Sequence, residues 1–241
     1  MAAPFLSLII PAFNEENRLP RTLSQVFTFT EKQPFSSEVL IAENGSTDRT
    51  YEIAREFVQR RTNARVLRME QRGKGAAVRG GILAARGDYR FICDADLSMP
   101  IDEVNKFLPP ALTGYDVAIG SRELPGSRRY DEPSYRHWGG RAINFAIQTL
   151  ILPGLNDTQC GFKCFRAQAA EDLFARQTLS GWSFDIEILY LARRRGYRIK
   201  EVAINWHFGP ESKVSAVTDA LRMLTDIFRI RLRALLGRYE R

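Results

Sequence analysis

The sequence predicts an α/β fold on a doubly wound sheet, on three observations. Short apolar runs bounded by turn residues alternate with longer segments of helical period. Polar and acidic clusters stand directly after three of those runs, where an open α/β sheet binds its ligands. A chain of 241 residues with 44% hydrophobic content is long enough for one sizeable core, and its composition is neither fibrous nor disordered.

Strands are expected at 5–11, 38–43, 64–69, 89–94, 116–120, 161–166 and 199–205. The first is followed by Asn14-Glu15, the second ends on Glu43-Asn44, and the fourth, Tyr-Arg-Phe-Ile-Cys, delivers Asp94-Ala95-Asp96. A helix cap or solvated turn explains any one of these clusters but fits the set less well. Helices are expected to start near Asn17, Thr47 and Gly75, and later near Asp102, Arg136, Ser183 and Val217. Segment 123–134, rich in Pro, Gly, Arg, Asp and Ser, is read as a mobile loop over the site. The last helix places Val217, Leu221, Leu224, Phe228 and Leu235 near one face and adds Arg222, Arg229, Arg231, Arg233 and Arg238. Such a helix suits an anionic membrane interface, or a core with a charged outer side.

A net charge of +7 and a pI near 9.5 favour anionic partners without choosing among nucleotide phosphates, lipid headgroups and nucleic acid. No aromatic-interleaved RNA motif or helix-turn-helix pattern is present, so nucleic acid is not expected. Cys93, Cys160 and Cys164 cannot all pair and lack histidine partners for zinc; free buried thiols in a reducing cytoplasm are expected. The longest apolar stretch, 142–155, is interrupted by polar residues and Pro153, and is too short to span a bilayer.

Asp94 and Asp96, one residue apart at a strand end, suit a hard cation such as Mg²⁺ or Mn²⁺, which takes carboxylate and substrate phosphate oxygens together. An Asp-x-Asp alone is common, and a polar turn is its plain alternative. Gly73-Lys74-Gly75 opens a helix with small residues, a natural anion seat that lacks the spacing of a P-loop.

Read in order, Leu-Ile-Ile-Pro-Ala-Phe-Asn-Glu-Glu, Glu-Asn-Gly-Ser-Thr-Asp-Arg-Thr, Gly-Lys-Gly-Ala-Ala, Asp-Ala-Asp-Leu-Ser, Gly-Ser-Arg and Gln-Cys-Gly-Phe-Lys resemble glycosyltransferase family 2. The resemblance runs from about Ser7 to Ser215 and is strongest toward the polyprenyl-phosphate sugar transferases, especially the dolichyl-phosphate β-glucosyltransferase branch. It implies a GT-A fold, a Rossmann-like three-layer α/β/α arrangement on a mostly parallel mixed sheet. Residues 1–215 would form the catalytic domain and 216–241 a basic amphipathic helix at a membrane interface.

The resemblance also implies residue roles. Pro11, Ala12 and Glu15 match the first nucleotide-binding loop, and Glu43 the acid that pairs with the base. The family usually has two aspartates before Gly-Ser where this chain has Glu43-Asn44; glutamate still accepts an imide N–H. Lys74, Ala95 and Gln159 fall on donor-binding segments, with Gln159 a partner for a sugar hydroxyl. Asp94 and Asp96 match the metal motif, and Asp96 is also placed in the catalytic set. Arg122 and Arg136 match arginines that hold phosphate, and Lys213 a lysine that closes on the diphosphate. Asp185 matches an acid that orients or deprotonates an acceptor, although a place in the first turn of a helix explains it equally.

The activity implied is transfer of a sugar, glucose from UDP-glucose foremost, to a polyprenyl phosphate with inversion. The enzyme would be peripheral on the cytoplasmic membrane face. Transfer to a hydroxyl acceptor, GDP-mannose as donor, and a nucleotide-binding module without catalysis are the alternatives.

Overall fold

The computed structural model describes residues 3–209 and 216–240; side chains at 134–140, 142 and 216–221 are not among those described. Seven strands form one sheet: β1 (Leu6–Ala12), β2 (Ser37–Glu43), β3 (Ala64–Arg68), β4 (Tyr89–Ile92), β5 (Val117–Ser121), β7 (Lys163–Arg166) and β8 (Ile199–Ala203). Their order is β3-β2-β1-β4-β7-β5-β8, parallel except for β7, which runs antiparallel to both its neighbours. A second, two-stranded parallel ribbon joins β6 (Arg128–Tyr130) to β9 (Asn205–His207).

β1 and β2 are nearly continuous runs of apolar residues because the sheet is covered on both faces. The two-residue period of the strand sorts their side chains into separate cores. Ile9, Leu40 and Ile92, in register across β2, β1 and β4, join the core that includes Phe165 and Phe174. Leu8, Ile10, Ile41 and Phe91 face the other, with Phe107 and Phe162 packed edge-on against Phe91.

The helices are α1 (Leu19–Lys32), α2 (Thr50–Val58), α3 (Lys74–Ala84), α4 (Ser134–Leu150), α5 (Ala167–Ala175), α6 (Phe184–Arg194) and α7 (Ala216–Leu235). Gly81 lets α3 sit close on the sheet: a Cβ there would lie 2.4 Å from Ile9 Cγ2. On α7, Met223, Ile227, Ile230 and Ala234 recur at helical spacing and are buried in the same core as Ile9.

The helix expected near Asp102 is a 3₁₀ segment, Ile101–Phe107. Helix α5 was not anticipated, because its nine residues follow directly on β7 with no intervening turn residue. Segment 123–134 differs from the loop expected of it. β6 lies within it, Arg129 pairs with both Glu123 and Glu132, and Tyr130 stacks on His207 at 4.5 Å. Its polar composition serves an ion-pair cluster that local composition does not distinguish from a loop.

Candidate active site

At the end of β4 the chain turns through Leu97, whose φ of 46° lies in the left-handed region. The Ala95 carbonyl accepts from Thr22 Oγ1 at 2.6 Å, and the Ser98 N–H donates to Asp96 Oδ1 at 3.0 Å. Ala95 is thereby buried, leaving Asp94 partly exposed and Asp96 exposed on either side of it. The backbone at Ala95 anchors the turn that presents the two acids.

Lys74 Nζ lies 2.7 Å from Asp94 Oδ1 and 4.9 Å from the centre of the Trp182 ring. Its backbone is held by the end of β2: Asn44 Oδ1 accepts from the Gly73 N–H at 2.5 Å, and Asn44 Nδ2 donates to the Gln71 carbonyl at 2.6 Å. Asn44, read only as part of a polar cluster, therefore positions Lys74. Burial works against the charge on Lys74, but Asp94 and Asp185 outweigh it and raise the ammonium above its ordinary value.

Asp185, buried in the first turn of α6, pairs with Lys163 at 2.8 Å. Lys163 is itself buried on β7 and donates to the Cys160 carbonyl at 2.5 Å. Burial raises the Asp185 carboxyl, with Asp94 adding to the shift and Lys163 and Lys74 opposing it. Asp96 is raised by the protein walls around it and by the like charge of Asp94. Asp94, Asp96, Asp185, Lys74 and Lys163 thus form one electrostatic cluster drawn from four strand or helix ends.

Arg122 follows β5 and forks onto Asp157: Nε to Oδ2 at 2.7 Å and Nη2 to Oδ1 at 3.0 Å. Its guanidinium also lies 5.4 Å from the Trp206 ring centre. Its planar fork is thus fixed bidentately on Asp157. Gln159, half-buried, donates its backbone N–H to Asp157 Oδ1 at 3.3 Å. Lys163 and Asp157 were missed in the sequence. Lys163 stands inside an apolar strand run, a position at which lysine is rarely buried unless paired, and that was the available signal.

Pro11 and Ala12 close β1 beside Ala42 and Glu43, in register. Glu43 is buried: Oε1 accepts from the Ser46 N–H at 2.5 Å, while Oε2 has no hydrogen-bond partner among the described residues and lies 3.6 Å from Arg68 Nε. The Glu15 N–H donates to Thr50 Oγ1 at 2.7 Å, and its carboxylate forks with Arg18. Glu187 is consumed structurally, accepting from the Thr178 and Leu179 N–H groups and from Tyr239 Oη at 2.7 Å. Arg136 belongs to α4, but its side chain lies outside the described set, and Lys213 lies outside the described residues altogether.

Solved structures share this architecture. Mannosyl-3-phosphoglycerate synthase from Rubrobacter xylanophilus is 16% identical with a TM-score of 0.69, covering 97% of this chain and 74% of that one. Glucosyl-3-phosphoglycerate synthase from Mycobacterium tuberculosis, in complex with Mn²⁺, uridine diphosphate and phosphoglyceric acid, is 19% identical with a TM-score of 0.67. The match covers 98% of this chain and 78% of that one. The fold is GT-A, three-layered α/β/α on a mostly parallel mixed sheet.

Glycosyl transferase family 2 matches over residues 7–174, and this chain belongs to that family. The dolichyl-phosphate beta-glucosyltransferase of Dictyostelium discoideum is 36% identical over 97% of this chain and 76% of its own length. Those of Homo sapiens and Saccharomyces cerevisiae are each 33% identical over 98% of this chain and 77% of theirs. The protein is a glycosyltransferase, similar in sequence to enzymes of that name.

Proposed function

We propose that the protein transfers glucose from UDP-glucose to a polyprenyl phosphate of the dolichyl type, inverting the anomeric carbon and using Mg²⁺ or Mn²⁺. The observation that carries this is the cluster at the end of β4, where Asp94 and Asp96 stand beside Lys74. The similarity to dolichyl-phosphate glucosyltransferases supports the donor and acceptor, and the M. tuberculosis enzyme, of the same fold, was crystallised with Mn²⁺ and uridine diphosphate.

The donor set fits a divalent cation that shares substrate ligands. Among the described residues no three His, Cys, Asp or Glu side chains could hold a metal together. Two carboxylates with the rest from phosphate is how Mg²⁺ and Mn²⁺ are usually bound at such sites. The metal, when bound, neutralises charge on the departing diphosphate. Glu43 Oε2, buried without a hydrogen-bond partner among the described residues and 3.6 Å from Arg68 Nε, supplies an acceptor for the imide N–H of uracil. By the family motifs, Pro11, Ala12, Glu15 and Ala95 are assigned to the nucleotide, Gln159 to the sugar and Lys213, which lies outside the described residues, to the diphosphate.

Arg122, aimed by Asp157, holds the acceptor phosphate together with Arg136. A phosphate oxygen is already anionic near neutral pH, so attack needs alignment rather than a general base. One observation favours a second reading, a hydroxyl acceptor. The raised carboxyl of Asp185 beside Asp94 is a suitable base for a hydroxyl.

Residues 1–215 are assigned the chemistry, and 216–241, whose helix α7 packs into the same core as Ile9, the peripheral seat on the cytoplasmic membrane face. No helix among the described residues is long and apolar enough to cross a membrane.

The test is incubation of purified protein with Mn²⁺, a panel of UDP- and GDP-sugars and a short polyprenyl phosphate, with mass spectrometry of the organic phase. Glucosyl lipid from UDP-glucose is expected, with Asp96→Asn reducing it by about a hundredfold or more. Absence of glycosylated lipid with every donor defeats the reading. Glycosylation of hydroxyl acceptors alone, abolished by Asp185→Asn, establishes the second.

A further inference from the structure

We propose that Lys74 is the resident counter-ion of Asp94, which a divalent cation must displace, so that metal and donor diphosphate bind as a coupled unit. The inference rests on the metal-site reading above and adds to it a role for Lys74 in the free enzyme.

Oδ1 of Asp94 is 2.7 Å from the Lys74 ammonium, and Oδ2 faces the backbone at Gly161, so close that a Cβ added there would lie 1.9 Å from it. A cation reaching Asp94 therefore meets the oxygen that Lys74 already holds, and an ammonium and a divalent ion within a few ångströms repel strongly. The wider site gives a bare ion little net attraction, since Asp94, Asp96 and Asp185 are offset by Lys74 and Lys163. Among the described residues no third ligand group stands ready to compensate.

Displacement is local. The Lys74 backbone is fixed by the Gly73 N–H bond to Asn44 and by Ser180, whose carbonyl accepts from the Ala76 N–H at 3.2 Å. Only the flexible side chain has to move, and the Trp182 ring, already 4.9 Å from the ammonium, and the field of Asp185 favour its charge as it leaves Asp94. A diphosphate changes the balance on both sides, giving the ammonium a new anionic partner and the metal its missing oxygens. Arrival of the nucleotide draws Lys74 off Asp94 and opens that carboxylate to the metal.

The experiment measures Mn²⁺ binding by electron paramagnetic resonance of the free ion, with and without UDP, for the unaltered protein, Lys74→Met and Asp96→Asn. Lys74→Met is expected to bind Mn²⁺ alone on the order of tenfold more tightly, equivalent to about 1.4 kcal/mol. UDP should strengthen Mn²⁺ binding more in the unaltered protein than in the variant. Lys74→Gln serves the same comparison if the methionine variant fails to fold by circular dichroism. Mn²⁺ affinity in the lysine variants equal to or weaker than in the unaltered protein overturns the inference while leaving the metal site standing. Binding insensitive to Asp96→Asn, or none even with UDP, removes the metal site and the inference together.

Discussion

Asp157 and Arg122 illustrate how single buried charges here are settled by partners. Burial pushes the Asp157 carboxyl upward, yet the bidentate Arg122 outweighs it and holds the group below its ordinary value of 3.8. A carboxylate whose pKa is lower in the folded state stabilises the fold above the unfolded value; that contribution fades as pH falls through the folded one. Asp157→Asn strands a largely buried guanidinium and should cost about 2–3 kcal/mol at pH 7. The deficit should shrink at about pH 3, and urea denaturation at the two pH values checks it; an unchanged deficit contradicts the pairing account. Asp96 carries the opposite sign. Partial desolvation by the surrounding protein and the like charge of Asp94 raise its carboxyl although the side chain is exposed, so its ionisation costs stability that is regained as pH drops below the raised value. Such a group suits a site that awaits positive charge.

At the scale of elements, the acids at the end of β4 depend on how closely β7's approach passes them. Gly161 precedes β7, and any side chain there collides with Asp94 Oδ2. Gly161→Ala is expected to turn the Asp94 carboxylate away from its position. Misplacement of reacting groups by about 1 Å can cost about a hundredfold, so transferase rate should fall by that order while the melting temperature changes little. Assay and calorimetry of the same preparation separate the two. The ribbon of β6 and β9 acts at this scale too. It carries Trp206 under Arg122 and, through the His207 N–H bond to the Ser98 carbonyl at 2.7 Å, ties segment 123–134 to the turn after Asp96.

For the molecule as a whole, α7 has two apolar faces, and only one is satisfied. Met223, Ile227, Ile230 and Ala234 are buried, whereas Leu224, Phe228, Leu232 and Leu235 share another face and are 46%, 68%, 44% and 84% exposed. An exposed contiguous stripe of this kind on a helix with Arg229 and Arg231 fits the headgroup boundary of an anionic bilayer. In flotation with vesicles containing anionic lipid, the protein should bind and lose binding as salt screens the arginines. Phe228→Asp with Leu235→Asp should abolish flotation yet leave glucosyl transfer to a short, water-soluble polyprenyl phosphate within about twofold, since surface changes away from buried features are small. Undiminished flotation of that variant assigns the membrane seat elsewhere.

The strands β1, β2 and β4 were legible because their instructions are local: apolar runs of strand length, closed by polar residues, fall at fixed places along the chain. The positions of Asp94, Asp96 and Glu43 at the carboxyl ends of β4 and β2 followed from the same pattern, Lys74 at the start of α3 followed from the Gly-Lys-Gly that opens it, and the ordered motifs specified the family. The pairing of charges was decided by tertiary structure alone. Lys163 meets Asp185 across 22 residues of chain, Arg122 meets Asp157 across 35, and Lys74 meets Asp94 across 20. β7 enters antiparallel between β4 and β5, which sets Lys163 and Gly161 beside the acids. A sequence carries the period of each element, but a carboxylate's counter-ion is whichever cation folding brings within about 3 Å, and long-range packing determines that distance.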